Sequence, residues 1–568
     1  MTQATPRETI HDSPARSGRV VAFTALSALL VCVAVQIWRP CFFLTDDNVV
    51  QWLPPMVEMS RHLHEGKPVF VSATLFGGNY DWSSDATIFP FLTPLLPLLS
   101  PLARSSVYFI LIDAITSIEF MAISASFAAA ALWLRRRHAI PIGNWAVVAV
   151  SLSYAFAPLH MLYAASWTGF VNAQAAWPLV FVALQFSSTR SAIAVLFSAF
   201  GFALFGGNLH PFGFLLLGSI ALAIYFVVER KTFQPLLCLG GALVLVAAVA
   251  YAAIGNGLRE IAVTGQVRSF DAATSSALNV PPLALLTSFL FGPFAGSAGG
   301  PAFLFRADPA WKSAIAYSAL NWSVVAILIA GGWKSRPSRP VLIAVALAVL
   351  FIWRPAWLAE LVATTPVLRS TRWPFREITV LIFLIHVLFV LNFNLLAARS
   401  RQIICAAAIV PILFLIAAGP PTFNPMELSR RLLVSGVADE YWRSLRLTLG
   451  SQPNVVCIDP RFVREGNDEV PFPLLPSQNL AALFDVVSAS GYSSSSTFLL
   501  DRSKPPPFSL SGMYTPENGR QYLARFPNVR LTVVEQLNPP VWSIVENGRE
   551  RRFTLNLENL QIRELANP

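Results

Sequence analysis

VVAFTALSALLVCVAVQIWRPCFFLTDDNVVQW, residues 20–52, sets out the problem this chain presents. Residues 20–38 are apolar and uncharged, and about 20 such residues suffice to cross a bilayer. Just beyond them stand two adjacent carboxylates, Asp46 and Asp47. An ionisable group at membrane depth is costly and usually has a partner or a role. The plainer alternative is a pair of solvated loop acids capping a helix that starts near Val49.

The same oily character runs through most of the chain. Of 568 residues, 55% are hydrophobic and 13% charged, and the mean hydropathy is +0.56. Soluble domains carry about twice that charge. Apolar runs predict spanning helices near 20–38, 105–134, 143–163, 170–187, 191–206, 211–229, 234–254, 313–332, 340–357, 377–397 and 403–419. The expected fold is therefore a polytopic α-helical membrane protein with about eleven transmembrane helices.

Charge gives the orientation. Every second connection is short and basic: Arg16 and Arg19, RRRH at 135–138, Arg190, ERK at 229–231, KSRPSR at 334–339 and ARSR at 398–401. The positive-inside rule assigns these to the cytoplasm. Residues 1–19 then form a cytoplasmic tail, and the first apolar run is a retained helix, since no small-residue cleavage site follows it. The net charge of +10 is explained by these loops. No nucleic-acid motif interleaves with them, so no nucleic-acid partner is expected.

Residues 88–103, IFPFLTPLLPLLSPLA, are apolar but broken by Pro90, Pro94, Pro97 and Pro101. A spanning reading would place RRRH outside, so the segment reads as interfacial or re-entrant. Residues 280–305 have the same character. The transmembrane domain, 20–419, thus carries large outer segments at 39–104, 255–312 and 358–376, and a terminal domain over 420–568 follows. That domain reads as α/β: RRLLVSGVADEYWRSLRLTLG is helical in pattern, while PNVVCIDP, RLTVVEQL and VWSIVENG read as strands. Five scattered cysteines form no CxxC or Cys/His cluster, which argues against structural zinc.

Polar residues crowd the outer loops. The first holds Gln51, His62, His64, GGNYDW at 77–82 and Asp85. Gly77 and Gly78 permit close backbone approach to a ligand, and Asn79, Tyr80 and Trp82 offer hydrogen bonds and a stacking face. The ordinary alternative is a turn, which GGN suits well. His160, Trp167, Asn172, Asn208 and His210 fall at expected outer helix ends, whereas His386 reads as a satisfied core histidine. Arg259, Arg268, Arg306, Lys312, Arg354, Arg369, Arg372 and Arg376 are outer-face cations that the charge rule does not explain. RSTRWPFRE, 369–377, sets three arginines around Trp373 and Pro374. Arginine's planar fork suits phosphate or carboxylate. An acid near an arginine-lined pocket at the outer leaflet points to a phosphate-bearing lipid.

The series D-x3-Q-x2-P from Asp47, EGKPVF, LFGGNYDW, PFLTPLLPLL, SWTGFVNAQAAWPLVFVAL at 166–184, GGNLHPFGF at 206–214, RWPFR at 372–376 and NLAALFDVVSASGYSS at 479–494 resembles the YfhO-like family of bacterial membrane proteins. That family lies within the GT-C superfamily of polyprenyl-phosphate-sugar-dependent glycosyltransferases. The resemblance implies an inverting transferase of the bacterial inner membrane, working on the periplasmic side with a periplasmic C-terminal domain. The donor would be a polyprenyl-phosphate-linked sugar. The acceptor would be an envelope glycan, a lipid or a protein. A first-loop acid would act as base or orient the acceptor: Asp47, whose spacing fits, or Asp46. Arg372 and Arg376, and more weakly Arg268, would offset charge on the leaving phosphate. Some members use a divalent metal, magnesium or manganese, which Asp46, Asp47 or Asp85 would hold here. An acceptor hydroxyl needs a positioned carboxylate to take its proton, and arginines stabilise the departing phosphate.

Two other classes fit the composition. A transporter or flippase of an anionic glycolipid also needs outer arginines, although transporters commonly show repeats and helices broken near the midplane. A non-catalytic polysaccharide-assembly protein needs only the outer domain and predicts that both aspartates are dispensable.

Overall fold

The computed structural model describes residues 14–45, 48–69, 71–74, 80–81, 95–103, 105–205, 209–264, 282, 336–365, 374–395, 398–407, 409, 412–413, 433–434, 438–450, 454–458, 530–537, 540–546, 549–556, 559 and 561–566. Within them the chain is mostly helical, with a small sheet near its C-terminus.

Helix α1 (Pro14–Trp38) shows how a uniformly apolar run acquires a direction. Its buried side chains, Ser17, Val20, Thr24, Ala28, Cys32 and Val35, recur every three or four residues, while Phe23, Leu26, Leu30, Val33 and Ile37 are exposed. The buried stripe is made of small residues. They let α1 lie along α4, as small interfaces do between membrane helices. The exposed face is apolar because its surroundings are lipid.

The segment after α1, expected from charge to be the first outer segment, contains α2 (Leu53–His64) and the short α3 (Leu96–Leu99). Between them, β1 (Val71–Ser72) and β2 (Tyr80–Asp81) pair antiparallel, Val71 opposite Asp81. Then comes α4 (Ser106–His138), capped by the Ser105 hydroxyl and ending on Arg135, Arg136, Arg137 and His138. Those cations complement the negative C-terminal end of the helix dipole.

The bundle continues with α5 (Asn144–Ala155), α6 (Pro158–Ser166), α7 (Asn172–Ala183), α8 (Thr189–Phe205), α9 (Leu209–Arg230), α10 (Gln234–Thr264), α11 (Arg339–Trp353), α12 (Ala356–Thr364), α13 (Ile378–Leu391) and α14 (Ala398–Ala407). Among the described residues four helices, α1, α4, α9 and α10, are long and apolar enough to cross a membrane. The number is six if the bent pairs α5–α6 and α11–α12 each count as one span. These apolar helices mark a membrane protein. The expected count of eleven is not reached among the described residues: the run at 313–332 lies outside them, as does most of 403–419.

Two expected spans are not straight helices. Residues 143–163 fold as α5 and α6, bent by 44°. Pro158 disfavours helical geometry at Ala157, which adopts φ −56°, ψ 140°. The run at 340–357 ends at Trp353, and α12 leaves at 85°. Before Pro355, Arg354 also leaves the helical region, here for the left-handed one at φ 46°, ψ 66°.

Near the C-terminus, α15 (Ala438–Leu449) precedes a sheet ordered β3 (Asn454–Ile458), β4 (Arg530–Leu537), β5 (Pro540–Glu546), β6 (Arg549–Asn556), β7 (Gln561–Leu565). β3 runs parallel to β4, and the other pairs are antiparallel, with a bulge between Val534 and Gln536. One apolar core fills the helical bundle. A second joins α2 and the start of α4 to Tyr441, Trp442, Leu445, Trp542 and Phe553. Phe109 of α4 meets Trp442 edge to face at 5.7 Å. The terminal unit therefore sits on the first outer segment.

Candidate functional site at the outer end of the bundle

The chain leaving α1 is pinned from below. Asp113, buried in α4, accepts the Phe43 N–H at 3.0 and 3.2 Å and the amide of Gln36. The Gln36 carbonyl oxygen accepts the Cys41 N–H at 3.1 Å. A buried carboxylate with several donors fixes a turn strongly, because each unmet buried polar group is costly.

The same segment is then clamped from the side. The Thr45 hydroxyl donates to the Ala165 carbonyl at 2.8 Å. The Asn48 amide donates to the carbonyls of Phe43 at 2.9 Å and Ala164 at 2.6 Å. Thr45 and Asn48 immediately bracket residues 46 and 47, so both flanks of that pair are held at the end of α6. Asp46 and Asp47 themselves lie outside the described residues. Beyond them Asn48–Trp52 form a π-helical turn that includes Gln51. Such turns recur at functional sites.

One helical step past the clamp, the chain turns through Thr168–Phe170 into α7. Tyr163, Trp167 and Phe170 pack there, with centroids 5.3 to 5.8 Å apart. Arg376, from the 3-10 turn Pro374–Glu377, lays its guanidinium carbon 4.4 Å from the Trp167 ring centroid and 4.6 Å from that of Phe170. A guanidinium between two ring faces is held by cation–π attraction and by packing, and its planar fork stays preorganised.

Behind it, Glu377 is buried, with Arg354 and Arg376 the charges acting on it. Arg354 is fully buried and stacks on Phe351 at 4.7 Å. Two guanidiniums against one carboxylate leave this corner positive. Among the described residues, Glu377 Oε1 and the Tyr163 hydroxyl have no hydrogen-bond partner. A buried polar atom left so is a candidate contact for a ligand or water.

Pro211, at the start of the apolar part of α9, borders a small void together with Arg376, Phe170 and Gln174. Four quoted sequence stretches thus meet at one corner: 42–52, 166–184, 206–214 and 372–376. An apolar cavity of about 790 Å³ begins beside it, at Glu377 and Phe351, and runs past Trp177 and Leu347 to His138 and Gln185. It crosses the bundle between α4, α7, α9, α11 and α13.

The residues anticipated from sequence fare unequally. Trp167 and Arg376 are brought into contact. Asn172 opens α7 and is fully buried beneath them. Gln51, Tyr80 and His210 are described in their backbone only, and Asn79, Asp85, Asn208, Arg268 and Arg372 lie outside the described residues. His160 is buried in the first turn of α6, beside the α5–α6 bend, with Nδ1 on the Tyr154 carbonyl at 2.8 Å. His386 is a core residue, Nδ1 on the Ile382 carbonyl at 2.8 Å.

Sequence reasoning passed over Thr45, Asn48, Arg354 and Glu377 as site residues. Glu377 and Arg354 carried a signal, an acid inside RSTRWPFRE and a cation before a proline. Glu58, also passed over, is buried in α2 and accepts from the Ala73 N–H and the Thr74 hydroxyl, each at 3.0 Å. It fastens the strand that leads into LFGGNYDW.

The carboxylates named for a metal fall outside the described residues. Among the described residues no group of three His, Cys, Asp or Glu side chains is placed to hold one.

No family model matches the chain, and no curated protein matches it. Among solved structures it is similar to the Archaeoglobus fulgidus oligosaccharyltransferase AglB in complex with an inhibitory peptide and a dolichol-phosphate, at 14% identity and a TM-score of 0.35. That alignment covers 90% of this chain and 69% of the other. An apo structure of the oligosaccharyltransferase from the same organism aligns at 13% identity and a TM-score of 0.34, over 92% and 70%. A likeness this loose transfers neither residue correspondence nor activity.

Proposed function

We propose that the chain is a GT-C-type membrane glycosyltransferase that moves a sugar from a polyprenyl-phosphate donor to an acceptor on the outer face of a bacterial inner membrane. The single observation behind this reading is the shared corner of α6 and α7. It holds both flanks of the Asp46–Asp47 pair through Ala164 and Ala165, and holds Arg376 through Trp167. The chemistry of inverting transfer needs such a pairing. An aspartate, Asp47 or Asp46, takes the proton of the acceptor hydroxyl as it attacks the anomeric carbon. Arg376, with Arg372, stabilises the phosphate as the bond to the sugar breaks. The apolar cavity beginning at Glu377 suits a polyprenyl chain whose phosphate lies at the arginines.

That cavity also favours a second reading. Because it reaches His138 and Gln185 at the opposite end of the bundle, it suits a flippase for an anionic glycolipid. The two readings part in one experiment. The protein, purified in lipid, is given a synthetic polyprenyl-phosphate sugar and a panel of acceptors. Under the transferase reading, wild-type protein moves the sugar, and Asp47→Asn or Asp46→Asn stops it while donor binding persists. Changed leaflet distribution of the lipid with no sugar transfer in wild-type protein rejects the transferase.

A further inference from the structure

At the end of the bundle opposite the candidate site lies a second cavity, of about 720 Å³, with a different chemistry. Trp133, Arg136 and Arg137 of α4, Ser187 and Ser188 before α8, and Arg230 at the end of α9 line it. These are the basic connections that the charge rule places on the cytoplasmic side. A solvated basic loop is the ordinary state of such residues. Here they instead enclose a concave space, together with hydroxyls and amides.

Several features make this space suited to an anion. Arg136, Arg137 and Arg230 contribute three guanidiniums. Among the described residues no carboxylate pairs with any of them in a salt bridge. Glu229 acts on Arg230 through its charge without forming a salt bridge and lines the apolar cavity. Arg136 is steadied by a hydrogen bond to the Ser17 hydroxyl of α1. The start of α8 is folded towards the start of α10: the Gln234 amide donates to the Ser187 carbonyl at 2.7 Å. Ser188 caps α8 by accepting from the Ser191 N–H at 3.3 Å. The positive N-terminal ends of α8 and α10 border the pocket, as do the negative C-terminal ends of α4, α7 and α9, so its positive character rests on the three guanidiniums.

The ligand is amphiphilic rather than a free ion. Trp133 and Phe186 meet at a tilt, ring centroids 6.3 Å apart, and border the cavity; tryptophan is enriched at membrane interfaces. Gln185 lines both this cavity and the apolar one and so forms a wall common to the two. We infer that the Arg136–Arg137–Arg230 pocket binds the phosphate headgroup of an anionic phospholipid from this leaflet, with an acyl chain entering the apolar cavity past Gln185. This inference does not depend on the transferase reading.

Short-chain phosphatidylglycerol and phosphatidylcholine, titrated against the full chain in detergent and counted by native mass spectrometry, test it. Wild-type protein should prefer the glycerol lipid by about tenfold. The variant carrying Arg136→Gln, Arg137→Gln and Arg230→Gln should bind both alike. Ser188→Asp should do the same: aspartate preserves the helix cap but sets a carboxylate in the pocket, so this variant decides the matter if the triple variant does not fold. Equal binding of both lipids by wild-type protein, or an unchanged preference in folded Ser188→Asp, overturns the inference. Displacement of phosphatidylglycerol by millimolar inorganic phosphate overturns the lipid assignment in favour of a soluble anion.

Discussion

The guanidinium carbon of Arg376 stands 4.4 Å from the centre of the Trp167 ring, although more than two hundred residues separate them in the chain. The contact fixes the fork of Arg376 beside the end of α6, to which Thr45 and Asn48 are hydrogen-bonded. Replacing Arg376 by lysine keeps the charge but loses the planar stack. We expect kcat/KM for sugar transfer to fall about tenfold in Arg376→Lys and about a hundredfold in Arg376→Ala. Steady-state kinetics in reconstituted lipid read both.

Asn48 is the clamp on the far side of the aspartates. Asn48→Ala removes two hydrogen bonds and leaves buried carbonyls unmet, at a cost of about 1–3 kcal/mol. Its melting temperature should drop, and transfer should drop further than the loss of folded protein explains. Thr45→Val, nearly isosteric, should show the same pattern more weakly. A normal rate per folded molecule in both variants would contradict a clamping role.

Asp113 acts from below. Asp113→Ala orphans the Phe43 N–H and the Gln36 amide and should destabilise the protein by about 2–5 kcal/mol. Asp113→Asn retains an acceptor and should recover part of that. Thermal unfolding of the two variants in one detergent checks the order.

Gly218 and Trp177 share a wall of the apolar cavity. A Cβ added at Gly218 would overlap the end of the Trp177 ring. Gly218→Ala should therefore push the indole into the cavity, costing about 1–3 kcal/mol and weakening binding of a polyprenyl phosphate. Lipid titration beside wild type reads the second effect, and unchanged binding would show that the cavity does not hold the chain.

Much of the helical framework is readable from composition, because lipid demands long apolar runs and the backbone must then satisfy itself within helices. Ten of the runs named from hydropathy carry a helix over at least part of their length. The prolines that break two of them, Pro158 and Pro355, are also visible, but a proline alone does not say whether a helix bends by 44° or by 85°. The strands at 454–458, 530–537 and 540–546 follow the alternation read in PNVVCIDP, RLTVVEQL and VWSIVENG. β6 and β7 escape it, since RERRFTLN and QIREL are highly charged. β6 lies inside the sheet between β5 and β7, while the exposed charges of β7 suit its place at the edge.

The site was legible only in part. RSTRWPFRE singled out Arg376 by its excess charge, and SWTGFVNAQ offered an aromatic partner, yet nothing local joins them. The roles of Thr45 and Asn48 depend on carbonyls 116 to 120 residues away. Hydroxyls and amides beside a double aspartate look like ordinary loop polarity until those carbonyls are placed. His160 does fall in a terminal helical turn, but its apolar neighbours bury it fully there.

The central claim is that the acid segment and Arg376 serve one pocket. Photo-crosslinking with a polyprenyl phosphate carrying a photoreactive group next to the phosphate tests it most directly, with labelled sites mapped by peptide sequencing. The account predicts label both on the peptide spanning 42–52 and on those around Trp167 and Arg376, competed by unmodified lipid phosphate and lost from all of them together in Arg376→Ala. Label confined to one of these segments, or found only elsewhere on the chain, would contradict it.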